Sequence, residues 1–302
     1  TTGLIYQPTG SYPSYFSYNG SNFIPNLNFN EDLRHGFDLA INYRKTFGEV
    51  KFGAGVNMTY ISAKAKKRDD SQYQYDYQKR EGTELNAYWG YECLGFFKDE
   101  ADIANSPNQS SFGATIKPGD LKYKDQNGDN IIDSKDQVNL GEVNGWQLGA
   151  PYTIGINLSA GYKGFTLYVL GIAQTGFSSI YNSSYYWPAG DDKYSSNVRN
   201  AWTPETAATA EFPRLTTGSA NNNRQQSDFW MKKISRFDLT RVQLTYDLPA
   251  SLFQNNRILS GISVYVSGSN LATISKESEK LILNVGSAAQ TRFYNLGVKV
   301  NF

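Results

Sequence analysis

The sequence predicts an all-β fold, a transmembrane antiparallel β-barrel wall whose strands carry long loops at one end. Three observations predict it. Apolar residues recur at every second position in seven segments, the clearest of these run about ten residues or more, and short turns alternate strictly with long connections. A tilted strand needs about nine to eleven residues to cross a bilayer, whereas soluble strands run about five or six.

Residues 1–32 show no sustained alternation and read as an extracellular loop or the end of a preceding strand; the strands occupy 33–302. The first covers Leu33 to Thr46, with Phe37, Leu39, Ile41 and Tyr43 on one face and Gly36, Asp38, Ala40, Asn42 and Arg44 on the other. Phe47–Gly48–Glu49 forms a tight turn, and Val50, Phe52, Ala54, Val56, Met58 and Tyr60 return. After a long connection, 62–151, Tyr152 to Tyr162 repeats the pattern, and the Lys163–Gly164 turn leads into Phe165 to Thr175. A second long connection, 176–229, precedes Val242, Leu244 and Tyr246, and Leu248–Pro249 ends that strand. A short turn near 249–257 leads to Ile262, Val264 and Val266. The third long connection, 271–290, precedes Tyr294, Leu296, Val298, Val300 and Phe302.

A soluble antiparallel sandwich also alternates apolar and polar positions. Strand length favours the barrel, and so do the many small polar residues on the second face, as expected of a wet lumen. Tyr60, Tyr152, Tyr162, Tyr246 and Tyr294 sit near strand ends, where interfacial girdle residues belong. With short turns on the periplasmic side, the long loops face outward. Seven strands do not close a barrel, so the chain is expected to be the C-terminal part of a larger protein, with its partner strands and export signal upstream.

Composition narrows the function. With 29 basic and 28 acidic side chains there is no basic excess for nucleic acid. One cysteine, Cys93, excludes an internal disulfide and any CxxC site, and one histidine, His35, excludes a multi-histidine metal centre. No nucleophile sits in a recognisable catalytic turn, so no enzyme is expected. His35 reads as a polar residue of a strand, and Cys93 as a small apolar residue in an aromatic loop segment.

The sharpest local signal runs from Asp125 to Asp136. Oxygen-bearing side chains at Asp125, Asn127, Asp129, Asp133 and Asp136, with the Ile131 carbonyl, have the spacing of an EF-hand-type loop and predict a structural calcium ion. Asn130 replaces the usual glycine and Asp136 the usual glutamate; a metal-free Asx-rich turn is the competing reading. The long loops are rich in aromatic residues, and Tyr185, Tyr186, Trp187 and Trp202 are the candidates for contact with substrate or partner. The Lys64–Ala65–Lys66–Lys67–Arg68 run reads as a solvated loop base.

A family resemblance emerges from the ordered motifs. Lys117–Pro118–Gly119–Asp120–Leu121–Lys122–Tyr123–Lys124–Asp125–Gln126–Asn127–Gly128–Asp129, continuing to Ile132–Asp133 and Asp136, resembles a segment of SusC/RagA-like TonB-dependent transporters. In the same order follow Gly161–Tyr162–Lys163–Gly164–Phe165, Trp202–Thr203–Pro204–Glu205 with Pro213–Arg214–Leu215, and Ser227–Asp228–Phe229–Trp230. Tyr246–Asp247–Leu248–Pro249, Ser267–Gly268–Ser269–Asn270–Leu271 and the terminal Leu296–Gly297–Val298–Lys299–Val300–Asn301–Phe302 complete the set; the loop at Glu277–Ser278–Glu279 departs from it. The resemblance implies a 22-stranded barrel in the outer membrane of a Gram-negative, Bacteroidetes-like bacterium, bathed in outer-membrane lipid. It also implies a SusD-like lipoprotein lid, energy relayed by TonB through an N-terminal part outside this chain, and a dimer of transporter–lid pairs. The implied cargo is an oligosaccharide. The alternatives are an oligopeptide, as in the Rag branch, or a non-transporting glycan-binding adhesin.

Overall fold

The computed structural model describes residues 4–6, 26–70, 73–113, 115–143, 150–188, 194–216, 221–253, 259–277 and 291–302. Its strands are β1 (Leu4–Tyr6), β2 (Leu27–Phe47), β3 (Val50–Lys67), β4 (Ala87–Gly90), β5 (Cys93–Phe96), β6 (Leu121–Tyr123), β7 (Val138–Glu142), β8 (Tyr152–Tyr162), β9 (Phe165–Ile180), β10 (Met231–Asp247), β11 (Gly261–Ser275) and β12 (Phe293–Asn301). One short helix, α1 (Glu100–Ala104), is capped by the Asp99 side chain, which accepts from the Asp102 amide. Much of the 271–290 connection and of the 1–32 segment, and part of the 249–257 turn, lies outside the described residues.

Eight strands form one sheet in the order β1-β2-β3-β8-β9-β10-β11-β12, each beside its neighbour along the chain but for the loop strands β4 to β7. The pairings that set the register are antiparallel and continuous, from Lys51 opposite Gly161 to Tyr60 opposite Tyr152, and from Tyr152 opposite Thr175 to Tyr162 opposite Phe165. The β8–β9 hairpin closes through Lys163 and Gly164 at φ 45° and 84°. Positive φ at both central residues is the turn whose twist matches that of paired strands. The sheet does not close on itself here; β1 and β12 stand at the two ends of the order.

By its internal contacts the chain divides into two units. One comprises Gly36–Ile61, Gly149–Phe177 and Ile234–Phe302, the other Thr1–His35, Ser62–Leu148 and Ser178–Lys233. The first is sheet. Its apolar alternate set is exposed: Ile41 is 59% accessible, Leu158 43% and Leu296 79%, and Phe37, Val56, Leu167, Leu244 and Val266 share that state. The buried hydrophobic cluster of this unit holds Ala150, Phe177 and Ile234. A soluble sandwich would bury that face beneath a second sheet, and among the described residues nothing covers it.

The opposite face is polar and bonded within itself. Thr59 donates to Asp38 at 2.7 Å, Ser263 to Asp247 at 2.6 Å and Thr273 to Asp238 at 2.6 Å. Apolar outside and polar inside is the wall of a membrane barrel.

Aromatic residues gather at two levels of the sheet. Tyr60 lies against Tyr152 with ring centroids 4.7 Å apart, and Phe165 against Tyr246 at 4.5 Å. Strand β8 covers the 11 residues from Tyr152 to Tyr162, both on the apolar face. At about 3.4 Å per residue and a tilt of about 40°, those two tyrosines are separated by roughly 26 Å along the membrane normal, against an apolar band of about 25 Å.

Several strands outrun their sequence signal. Strand β2 begins at Leu27, six residues before the expected Leu33, and β3 continues to Lys67, through what reads as a solvated loop base. There Ala63 and Ala65 are buried while Lys66 pairs with Glu31 at 2.9 Å and Arg68 with Asp32. Alanine alternating with lysine carries too little apolar contrast to register as a strand. Strand β10 starts at Met231, where Arg236 and Asp238 hide the alternation by pairing at 2.8 Å.

Candidate functional site

The second unit has a larger dry core than the Ala150–Phe177–Ile234 cluster of the sheet unit. Leu121, Tyr123 and Ile132 are fully buried, and Phe97, Tyr91 and Trp230 nearly so. The Lys117–Asp120 turn opens this core, with the Asp120 amide donating to the Lys117 carbonyl at 3.0 Å and the Lys117 amide to Asp120 Oδ2 at 2.9 Å. Asp120, 2% accessible, also receives Arg214 at 2.7 Å and the Asn223 amide group at 2.8 Å. Gly119 has φ 87°, and a Cβ there would lie 2.3 Å from the Trp202 ring, so only glycine fits.

The remaining polar groups close a buried network. Gln109 donates to the Leu121 carbonyl at 2.9 Å and to Asn222 Oδ1 at 2.7 Å, and accepts from the Tyr123 amide at 2.8 Å. The Tyr123 hydroxyl donates to the Asn222 carbonyl at 2.7 Å, and the Trp230 indole to the Asn223 carbonyl at 2.8 Å. Residues more than a hundred positions apart in sequence thus meet as one hydrogen-bonded assembly, which fixes the loops against each other.

Along the Asp125–Asp136 loop the oxygens bind the loop's own backbone. Asp125 accepts from the Gly128 and Asn130 amides at 2.6 and 2.8 Å, Asn127 from Asp129 at 2.9 Å, and Asp129 from Ile131 at 3.0 Å. Asn130 takes φ 64°, the left-handed value that its position in such a loop requires. Asp136 is fully buried and both its oxygens are engaged, by the Gln126 amide at 2.8 Å and the Asp133 amide at 2.9 Å; burial pushes its carboxyl up. The Lys135 ammonium lies 3.3 Å from Asp129 and 3.6 Å from Asp133. No group of three or more His, Cys, Asp or Glu side chains gathers closely enough to hold a metal ion among the described residues.

A cavity of about 220 Å³ opens between the 185–188, 194–201, 212–216 and 223–230 segments. Of the aromatic candidates, Tyr185, Tyr186 and Trp187 line it, whereas Trp202 does not and packs on Gly119 instead. Tyr186 is stacked on Tyr181 at 4.2 Å, and Trp187 meets Trp230 edge-on at 5.6 Å. Arg224, Asn197 and Phe212 also line the cavity. They escaped the sequence reading because nothing in their local pattern marks them. Burial pushes the Cys93 thiol up to about 12, away from the thiolate form that a nucleophile needs.

No protein-family model matches the chain. It is 26% identical over 193 residues to the TonB-dependent receptor P26 of Formosa agariphila, covering 63% of this chain and 18% of that receptor. Among solved structures it resembles the RagAB peptide importer in its open-open state, with a TM-score of 0.70 at 20% identity over 100% of this chain and 32% of that one. The closed-closed state gives a TM-score of 0.68 with the same coverage.

The fold is that of the RagAB importers' barrel.

The chain therefore has the fold of an outer-membrane β-barrel wall, and it spans about a fifth of the curated relative and about a third of the structures it matches. The motifs that carry the resemblance do two kinds of work in it. The Tyr162–Lys163–Gly164–Phe165 run is a hairpin of the wall, whereas Gly119, Asp120, Arg214 and Trp230 build the loop core.

Proposed function

We propose that this SusC/RagA-like chain forms part of the wall and outer loops of an energised importer of oligomeric nutrients, closed by a SusD-like surface lipoprotein. The observation that carries the reading is a sheet with a bare apolar face in the same chain as a separately cored loop unit that holds an aromatic cavity. A sheet bared to lipid surrounds a polar route across the membrane, and folded loops offer surface to cargo and lid. The energy is inner-membrane proton-motive force relayed by TonB, and the working assembly is a dimer of transporter–lid pairs. The chain performs no catalysis of its own. Oligosaccharide is the first reading of the cargo, since flat aromatic walls stack on sugar rings. Oligopeptide is the second, favoured by the fold likeness to the RagAB peptide importers.

In cells carrying the whole transporter, uptake of labelled oligosaccharides or oligopeptides is expected to stop when the proton-motive force is dissipated. Surface binding without energy-dependent uptake would instead identify an adhesin.

The proposal includes a structural calcium ion. Asp125, Asn127, Asp129, the Ile131 carbonyl and Asp133 would hold it once the loop draws them together from the spacing they have here; Asp136, with both oxygens bound to backbone, would shape the loop rather than ligate. The donor set is all oxygen, as this hard cation requires, and the ion would take the place Lys135 now holds beside Asp129 and Asp133. Chelation is expected to speed proteolysis within 125–136, with calcium restoring protection. Identical cleavage with and without chelator would remove the metal from the account.

A further inference from the structure

Arg224 is the charge of the aromatic cavity that has no carboxylate partner among the described residues. Among the described residues the lining contains two arginines and no aspartate or glutamate. Arg214 is neutralised by Asp120 at 2.7 Å. Arg224 donates through Nη2 to the Pro188 carbonyl at 2.6 Å, and no carboxylate pairs with it among the described residues. A half-buried guanidinium without a counter-ion is costly, since low-dielectric surroundings penalise an unpaired charge.

Four nitrogen donors on the cavity-lining residues have no acceptor in hydrogen-bond geometry: Trp187 Nε1, Asn197 Nδ2, Arg214 Nε and Arg224 Nε, of which Arg214 Nε is at least charge-paired with Asp120. All four are donors, and no carboxylate lines the wall among the described residues. They are sealed from solvent in this structure; an entering oxygen would reach them only if the side chains rotate, and the bond it makes would relieve an unsatisfied buried donor. Tyr185, Phe212 and Trp230 supply flat apolar walls around them. At about 220 Å³ the cavity is smaller than the roughly 300–1,000 Å³ of pockets for drug-sized ligands, so it holds one terminal unit of an oligomer and not its length.

We infer that this cavity is a carboxylate-binding subsite, seating the acidic terminal unit of a cargo oligomer with its carboxylate on Arg224 and its ring or apolar side against the aromatic walls. The inference rests on the importer reading and makes it specific. Two sources carry this chemistry: the C-terminal residue of a peptide and a uronic acid at the end of a glycan.

The test uses the full-length transporter in detergent, with binding followed by tryptophan fluorescence. The probes are N-acetylphenylalanine against its amide, and phenyl glucuronide against its methyl ester. Each acid is expected to bind more tightly than its neutral counterpart, by roughly tenfold or more, the scale of a charge-assisted hydrogen bond. The tighter acid names the source. Arg224→Gln should abolish that preference, Arg224→Lys should restore part of it, and Trp187→Phe, which keeps a ring and removes the N–H, should weaken the acids several-fold. Equal binding of acid and neutral forms, or an unchanged preference in a folded Arg224→Gln protein, overturns the subsite. Uptake distinguishes the two readings. Energy-dependent uptake without acid preference sinks the subsite alone, and acid preference with uptake indifferent to the proton-motive force sinks the importer alone.

Discussion

Asp120→Ala is expected to destabilise the loop unit by about 3–5 kcal/mol, the cost of removing one partner from a buried ion pair. Asp120 is 2% accessible and takes Arg214, the Asn223 side chain and the Lys117 amide on two oxygens. Its removal leaves a guanidinium and two further donors without acceptors in a dry site, and nothing small enough to replace them except water. The measurement is limited proteolysis and denaturant titration of the whole transporter, with cleavage rising in 109–123 and 212–230. Asp76→Ala serves as the contrast. Its partner Lys79 is at 2.6 Å, an equally short contact, but the Asp76 side chain is 94% accessible, so no change is expected. If both substitutions behave alike, the buried assembly does not hold the loops.

Leu158→Arg is expected to cost about 2–4 kcal/mol of barrel stability in a bilayer, the penalty for an arginine near the midplane of a lipid-facing strand. Leu158 lies between the Tyr152 and Tyr162 levels of β8, on the exposed apolar face and opposite Val169 and Ala54. Urea titration of the whole protein in lipid vesicles, with insertion read from resistance to heat-induced unfolding on a gel, measures the effect. Leu158→Ile should leave it unchanged. Tolerance of the arginine would mean that the face meets water or protein rather than hydrocarbon, and the barrel assignment would fall.

The loop unit was the part least visible in sequence. Period-two alternation exposes a strand only where the two faces meet different media, as at Phe37 to Tyr43 or Tyr152 to Tyr162. Where β3 passes Ala63 and Ala65, or β10 passes Arg236 and Asp238, polar pairing and small residues erase the contrast, and the strands look like loop. Within the loops there is no period to read. The motif glycine at 119 and its neighbour Asp120 were recognisable as a pattern, but their work was not. Trp202 illustrates the limit. Its aromatic character suggested a contact surface, yet the ring fills the space above Gly119.

The order of side chains alone determined that this chain is a wall of paired strands, with apolar and polar faces and tight turns at Gly48 and Gly164, because local alternation and positive-φ turns depend on neighbours in the chain. Tertiary structure decided which face stays bare, that Asp120, Arg214, Asn223 and Trp230 share one buried assembly, and that Arg224 lines an aromatic cavity with no carboxylate partner among the described residues. Those facts depend on residues far apart in sequence meeting in a low-dielectric interior, where the worth of a charge or a donor is set by what surrounds it.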